Sequence, residues 1–167
     1  IPLNHRIPTC GFLFKEKNGK RRIKKQVIKE HNMAIEDIIG VKDGADFTNS
    51  EGKLFKNSDI TDQPDAPRSY AYCSDTAYTE TIIPVIQQVS LLYHEATFMN
   101  EKADVAAEKF HSTTIEAATI AKKAQVGKLI IGHFSTRYEN IEEMIREARS
   151  VFPGTEAAYD GKIYQIY

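Results

Sequence analysis

The strongest constraint on this chain is the alternation of short apolar runs and helix-forming stretches through its second half. Residues 69–73 (SYAYC), 91–93 (LLY) and 129–131 (LII) read as strands, the last apolar throughout as expected for a strand covered on both faces. Between them, 79–89, 103–109 and a stretch opening at Thr113 read as helices, with Pro84 marking a break in the first. Thr113 and Glu116 have the spacing of a capping box, and Gly127 that of a C-terminal stop. Ala117, Ala118, Ile120, Ala121 and Ala124 give that helix a small-residue face able to lie close on a sheet. A further amphipathic helix is expected over 140–151, with Ile141, Met144, Ile145 and Ala148 inward, and a last strand over 162–167. Such alternation implies βαβ units in an α/β layered fold.

Chemistry-bearing residues fall at the ends of these elements. Asp75 follows one apolar run, His94 and Glu95 another, His133 a third, and His111 stands before the capped helix. In α/β sheets, ligands gather beyond the carboxyl ends of the strands. One shared site is therefore expected, with the residue types of a metal-assisted hydrolase. Strand alternation turns His94 and Glu95 to opposite faces, and Glu95 is assigned to the site. Taken one at a time, these residues have ordinary readings: a turn aspartate in SDT, helix-start residues in HST. Arg137 and Tyr138 are open between phosphate contact and a structural pairing.

The first half is less regular. Residues 7–14 read as a strand, Asn18-Gly19 as a turn, and 20–44 as a charged excursion with short helical patterns. Lys15, Lys17, Lys20, Arg21, Arg22, Lys24, Lys25 and Lys29 crowd one stretch against Glu16 alone, although the whole chain has a net charge of -1. A run of this kind is either a solvated face or a phosphate-binding surface. An apolar share of 41% with 27% charged residues is that of a soluble globular protein, and 167 residues fit one domain. No apolar run approaches the roughly 20 residues of a membrane span. Cys10 and Cys73 are widely separated, which favours free thiols in a reducing compartment. The chain opens at Ile1, directly on a strand-like segment, and is expected to be part of a larger protein.

Six stretches together carry a more specific likeness: LNHRIPTCGFLF, YCSDT, LLYHEATF, FHSTTIEAATIAKKA, LIIGHFSTRY and AAYDG. In these residues and in their order the chain resembles the C-terminal half of the ribonuclease Z family, tRNA 3′-processing endonucleases of the metallo-β-lactamase superfamily. The resemblance implies half of an αββα sandwich over 1–167, with a charged arm at 18–46 inserted after the first strand. It implies His5, Asp75 and His133 as ligands of a two-zinc centre, with Asp75 bridging, and His111 oriented by Glu95 beside the scissile phosphate. It implies that Lys20, Arg21, Arg22, Lys24 and Lys25 grip precursor tRNA through the arm. The Gly-Pro motif common in that arm is absent from HNMAIEDIIGVKDG. So is the superfamily's H-x-H-x-D-H motif, so that the isolated chain is expected to be inactive. A cytoplasmic homodimer is also implied. The alternatives are another phosphodiesterase of the superfamily, or a non-catalytic half-domain serving association or tRNA binding.

Overall fold

The computed structural model describes residues 1–166. They divide into two compact units, one built from Ile1–Lys15 with the chain from Arg68 on, the other from Glu16–Pro67.

The first unit begins with β1 (Pro2–Leu3), β2 (Thr9–Cys10) and β3 (Phe12–Lys15). The 7–14 strand is thus two strands, because β2 turns back to pair antiparallel with β1 while β3 joins the main sheet. The second unit follows, with β4 (Arg22–Ile23), α1 (Lys25–Glu30), α2 (Ile35–Lys42), β5 (Phe47–Thr48), β6 (Leu54–Phe55), α3 (Asn57–Ile60) and β7 (Thr61–Asp62). It extends beyond residues 18–46, since β7 returns to pair with β4 and Phe47 and Ile60 enter its core. That core is small: Ile23, Met33, Val41, Phe47 and Ile60 are buried. Asn57 stitches it by donating to the carbonyls of Val41 and Ala45 at 2.7 and 2.8 Å.

The chain then returns to the first unit with β8 (Ser69–Cys73), β9 (Leu91–Glu95), α4 (Ala103–Lys109), α5 (Thr114–Lys123), β10 (Lys128–Gly132), α6 (Ile141–Arg149) and β11 (Thr155–Ala157). The sheet order is β11-β10-β9-β8-β3, parallel except for β3. Ala71, Cys73, Leu92, Leu129 and Ile131 share one buried core with Ala117, Ala118, Ile120, Ala121, Ile145 and Ala148 of α5 and α6. The alanine face of α5 brings that helix close to the sheet, and the Thr113–Glu116 capping box is formed. Asn140 caps α6 by accepting from the Glu142 N–H.

Two expected elements are absent. Residues 79–89 hold only a 3₁₀ turn, Glu80–Ile82. Pro84 lacks the N–H that would continue it, and Gln88 has a φ of 57°. Residues 162–166 form no strand; the parallel edge is supplied by β11 instead, and Tyr167 lies outside the described residues.

The other face of the sheet is aromatic. Tyr72 and Tyr93, cross-strand neighbours, stack at 4.7 Å between centroids. A Cβ on Gly132 would meet the Tyr93 hydroxyl at 2.5 Å, so the tyrosine ring lies directly over the glycine at the end of β10 and would have to shift for a larger residue. Burial on this face pushes the Tyr93 phenol up to about 12.

Candidate metal centre

The carboxyl ends of β8, β9 and β10 lie side by side: Cys73 pairs with His94, and Glu95 with Gly132. The residues just beyond these ends therefore converge without long loops. Asp75, Glu95, His111 and His133 each present one atom such that all four lie within 4.8 Å of one another.

Backbone conformation sharpens the convergence. Asp75 (φ 60°), Phe110 (φ 60°) and His133 (φ 61°) are three of the six non-glycine residues with positive φ among the described residues. Left-handed backbone costs about 1–3 kcal/mol for residues other than glycine and gathers at functional sites. Here it ends β8 and β10 abruptly and ends α4 just before His111.

Glu95 is fully buried, and donors approach both of its oxygens. Oε1 accepts from the Thr76 N–H at 2.6 Å, and His111 Nδ1 lies 2.9 Å away. Oε2 accepts from the Thr97 hydroxyl at 2.7 Å and the Ser112 N–H at 3.1 Å. A carboxylate so engaged has little capacity left for a metal. It fixes His111 in place, with Nδ1–H donated to Glu95 and Nε2 remaining for chemistry. Ser112 gives its hydroxyl to the Thr76 carbonyl at 2.7 Å, so Thr113 rather than Ser112 caps α5.

Asp75 is bound quite differently. Its Oδ1 is buried and makes no hydrogen bond, alone in this among the buried side-chain polar atoms of the described residues. Yet His133 Nε2 stands 3.2 Å away. An orphaned carboxylate oxygen is costly unless something cationic satisfies it. Oxygen from Asp75 and imidazole nitrogen from His133 are the donor types of a zinc site, and the orphaned atom fits that use.

His5 lies at the margin of the group. Its Nδ1 is 3.0 Å from the Phe110 carbonyl, and its ring centroid is 5.4 Å from that of His111. His111 in turn lies 5.1 Å from His133. His94 points into the core, with Nδ1 bonded to the Glu95 carbonyl at 2.7 Å, and burial depresses its pKa. Arg137 sits over the Phe98 ring at 5.2 Å, and the Tyr138 hydroxyl accepts from the Met99 N–H.

Lys20, Arg21, Arg22 and Lys24 have partners within the second unit. Lys20 pairs with Asp43 at 2.7 Å, and Arg22 with Asp65 at 3.0 Å, which raises the Arg22 pKa through the hydrogen bond. Arg21 Nε donates to the Thr61 hydroxyl at 2.6 Å, and Lys24 Nζ to the Asp59 carbonyl at 2.6 Å. Lys25 opens α1.

Thr76, Thr97 and Ser112 were not singled out from the sequence, although Thr97 stands two residues after Glu95. Alternation would have placed the two on one face.

No family model matches the chain. By sequence it is 47% identical over 161 residues to Ribonuclease Z of Parabacteroides distasonis, a match covering 96% of this chain and 53% of that protein. It is 46% identical over 158 residues to Ribonuclease Z of Porphyromonas gingivalis, covering 95% and 52%. The chain spans about half the length of the curated relatives it matches. In structure it resembles the metallo-beta-lactamase fold protein YhfI from Bacillus subtilis, with a TM-score of 0.55 and 26% identity over 59% of this chain and 40% of that one.

Proposed function

We propose, from the membership of this chain in the ribonuclease Z family, that it is the half of a metal-dependent endoribonuclease carrying the acid and part of the metal site. The whole enzyme would remove 3′ trailers from precursor tRNA by phosphodiester hydrolysis, as a cytoplasmic homodimer. The observation that carries this reading is the orphaned Asp75 Oδ1 facing His133 Nε2 at 3.2 Å, beside the buried Glu95–His111 pair.

In this reading Asp75, His133 and His5 hold zinc, two ions in the complete enzyme, and residues beyond this chain complete the coordination. Zinc held there would polarise the phosphoryl oxygens and make water more acidic. The chain's own residues do the remaining work on the leaving side. Glu95 accepts the Nδ1–H of His111 and holds the ring in one orientation. His111 Nε2–H would then give its proton to the leaving oxygen as a water oxygen bonds to phosphorus and the phosphorus–oxygen bond to the leaving group breaks. Four contacts fix Glu95, so His111 needs no rearrangement to act.

The second unit would bind the tRNA body through Lys20, Arg21, Arg22, Lys24 and Lys25. The ion pairs of Lys20 and Arg22 would open in exchange for phosphate contacts.

The test is to join the chain to the missing half of a relative and assay trailer release with and without zinc. Asp75→Ala should abolish both zinc binding and cleavage. Cleavage that survives metal removal, or zinc binding unchanged in Asp75→Ala, would sink the reading.

A further inference from the structure

The hydroxyl of Thr97 stands between the two halves of the site. It donates to Glu95 Oε2 at 2.7 Å and lies 2.8 Å from His133 Nδ1. A threonine hydroxyl has one proton. That proton goes to Glu95, whose oxygens also receive the N–H groups of Thr76 and Ser112 and face His111 Nδ1. The contact with His133 is then possible in one sense only: Nδ1 must carry the hydrogen and donate it to Thr97. The Nε2 atom of neutral His133 is left with a bare lone pair, 3.2 Å from the orphaned Asp75 oxygen. Two acceptors facing one another at that distance repel unless a cation lies between them.

We infer that Thr97 is a positioning residue that holds His133 as the Nδ1–H tautomer and so presents Nε2 to a metal. The same hydroxyl serves the Glu95–His111 pair, and the acid and the metal ligand are thus oriented by one hydroxyl group, which donates to Glu95 and accepts from His133. Thr97 is buried, 7% exposed, which protects this arrangement from exchange with water. The inference rests on the metal-site reading for its consequence, but the tautomer itself follows from hydrogen-bond directions alone.

The test uses the 167-residue chain, labelled with ¹⁵N at histidine. Imidazole nitrogen shifts in metal-free protein at about pH 8, well above the ordinary histidine pKa of about 6.5, separate protonated from bare nitrogens. Neutral His133 is expected with hydrogen on Nδ1. In Thr97→Val the preference for that tautomer should be lost, and in the chain joined to the missing half of a relative the affinity for cobalt(II), the probe metal, should fall about 10–100-fold, as when partners that orient metal-bound histidines are removed. Thr97→Ser, which keeps the hydroxyl, should restore both. Hydrogen on Nε2 in the unaltered chain would overturn the inference, as would a valine variant with unchanged His133 shifts. Should Thr97→Val fail to fold, the unaltered chain and the serine variant still decide the tautomer. In the chain joined to the missing half of a relative, the expected tautomer without any cobalt binding would leave the role of Thr97 in place and remove the metal reading.

Discussion

The two units of this chain differ in where they put ionisable groups. In the first, polar side chains go inside: His94, Glu95, Thr97, Ser112, Thr113 and Thr114 are buried at or near the carboxyl end of the sheet. They are affordable there because an extensive apolar core and parallel strands fix the backbone donors that satisfy them. In the second unit charge stays outside. Residues 16–67 hold ten Lys and Arg against ten Asp and Glu, a balance of zero, so the basic run at its start is answered by the acids that follow. Lys20, Arg22 and Lys56 pair with Asp43, Asp65 and Asp46 on the surface. A rigid body can hold strained backbone and buried carboxylate for chemistry; a unit with five buried apolar residues instead presents charge that can be exchanged.

Catalysis offers the largest expected contrast. In a protein containing both halves, His111→Ala should lower turnover by about 10²–10⁴-fold while zinc content stays unchanged. Glu95→Gln should act in the same direction. Replacing Arg21, Arg22, Lys24 and Lys25 together should weaken precursor-tRNA binding but spare hydrolysis of a small phosphodiester. Equal loss on both substrates would make the second unit part of the catalytic body and dissolve the contrast.

Stability should separate the units next. Leu92→Ala empties a fully buried site in the sheet and should cost about 2–5 kcal/mol. Asn57→Ala leaves the Val41 and Ala45 carbonyls without their donor and should cost about 1–3 kcal/mol. Native-state hydrogen exchange reads where each loss falls. Protection should drop in β8–β10 for the first variant and in residues 16–67 for the second. A drop spread evenly over both regions in either variant would show one cooperative unit.

What was legible beforehand follows the same division. In the first unit the capping box and the alanine face could be read because each is a local pattern with one physical outcome, whereas the strand-end residues, each with an ordinary reading alone, pointed to one place only as a group. The loss of a helix at 79–89 was not legible from apolar spacing alone, since Ile82, Ile86 and Val89 are buried without helical support between them. Positive φ at Asp75, Phe110 and His133 leaves no mark in residue type, yet it is what ends the flanking elements. In the second unit the basic run was visible, but its acidic partners lie up to 43 residues away along the chain, as Arg22 and Asp65 do. Spacing in sequence carries no signal for such pairs.

A pH titration probes the first unit through His94. Burial holds its folded-state pKa below the ordinary value of 6.5, so the unfolded chain takes up a proton first as pH falls. The associated stability is fully present above pH 6.5 and is lost progressively as pH drops from there toward the depressed folded value. Urea midpoints measured from pH 8 to pH 5 should therefore decline below about 6.5, and His94→Gln should flatten the decline. An equal decline in the glutamine variant would assign it to other groups.

The smallest effect expected is also the most direct probe of the exposed charges. Asp65 holds Arg22 by two contacts, at 3.0 and 3.2 Å, in full solvent. Exposed pairs of this kind contribute little to folding, and Asp65→Asn should leave the thermal midpoint almost unmoved. It frees Arg22, however, and shifts the balance of the unit by one positive charge. Binding to RNA should tighten modestly at low salt, and the slope of log affinity against log salt should steepen by up to roughly 0.7–0.9, the value for one added phosphate contact. Arg22→Gln in the same background should cancel the gain. If Asp65→Asn instead lowers the midpoint by several degrees without changing the salt slope, the pair holds β4 against β7 rather than masking a phosphate contact, and the surface charge of the second unit is there for folding alone.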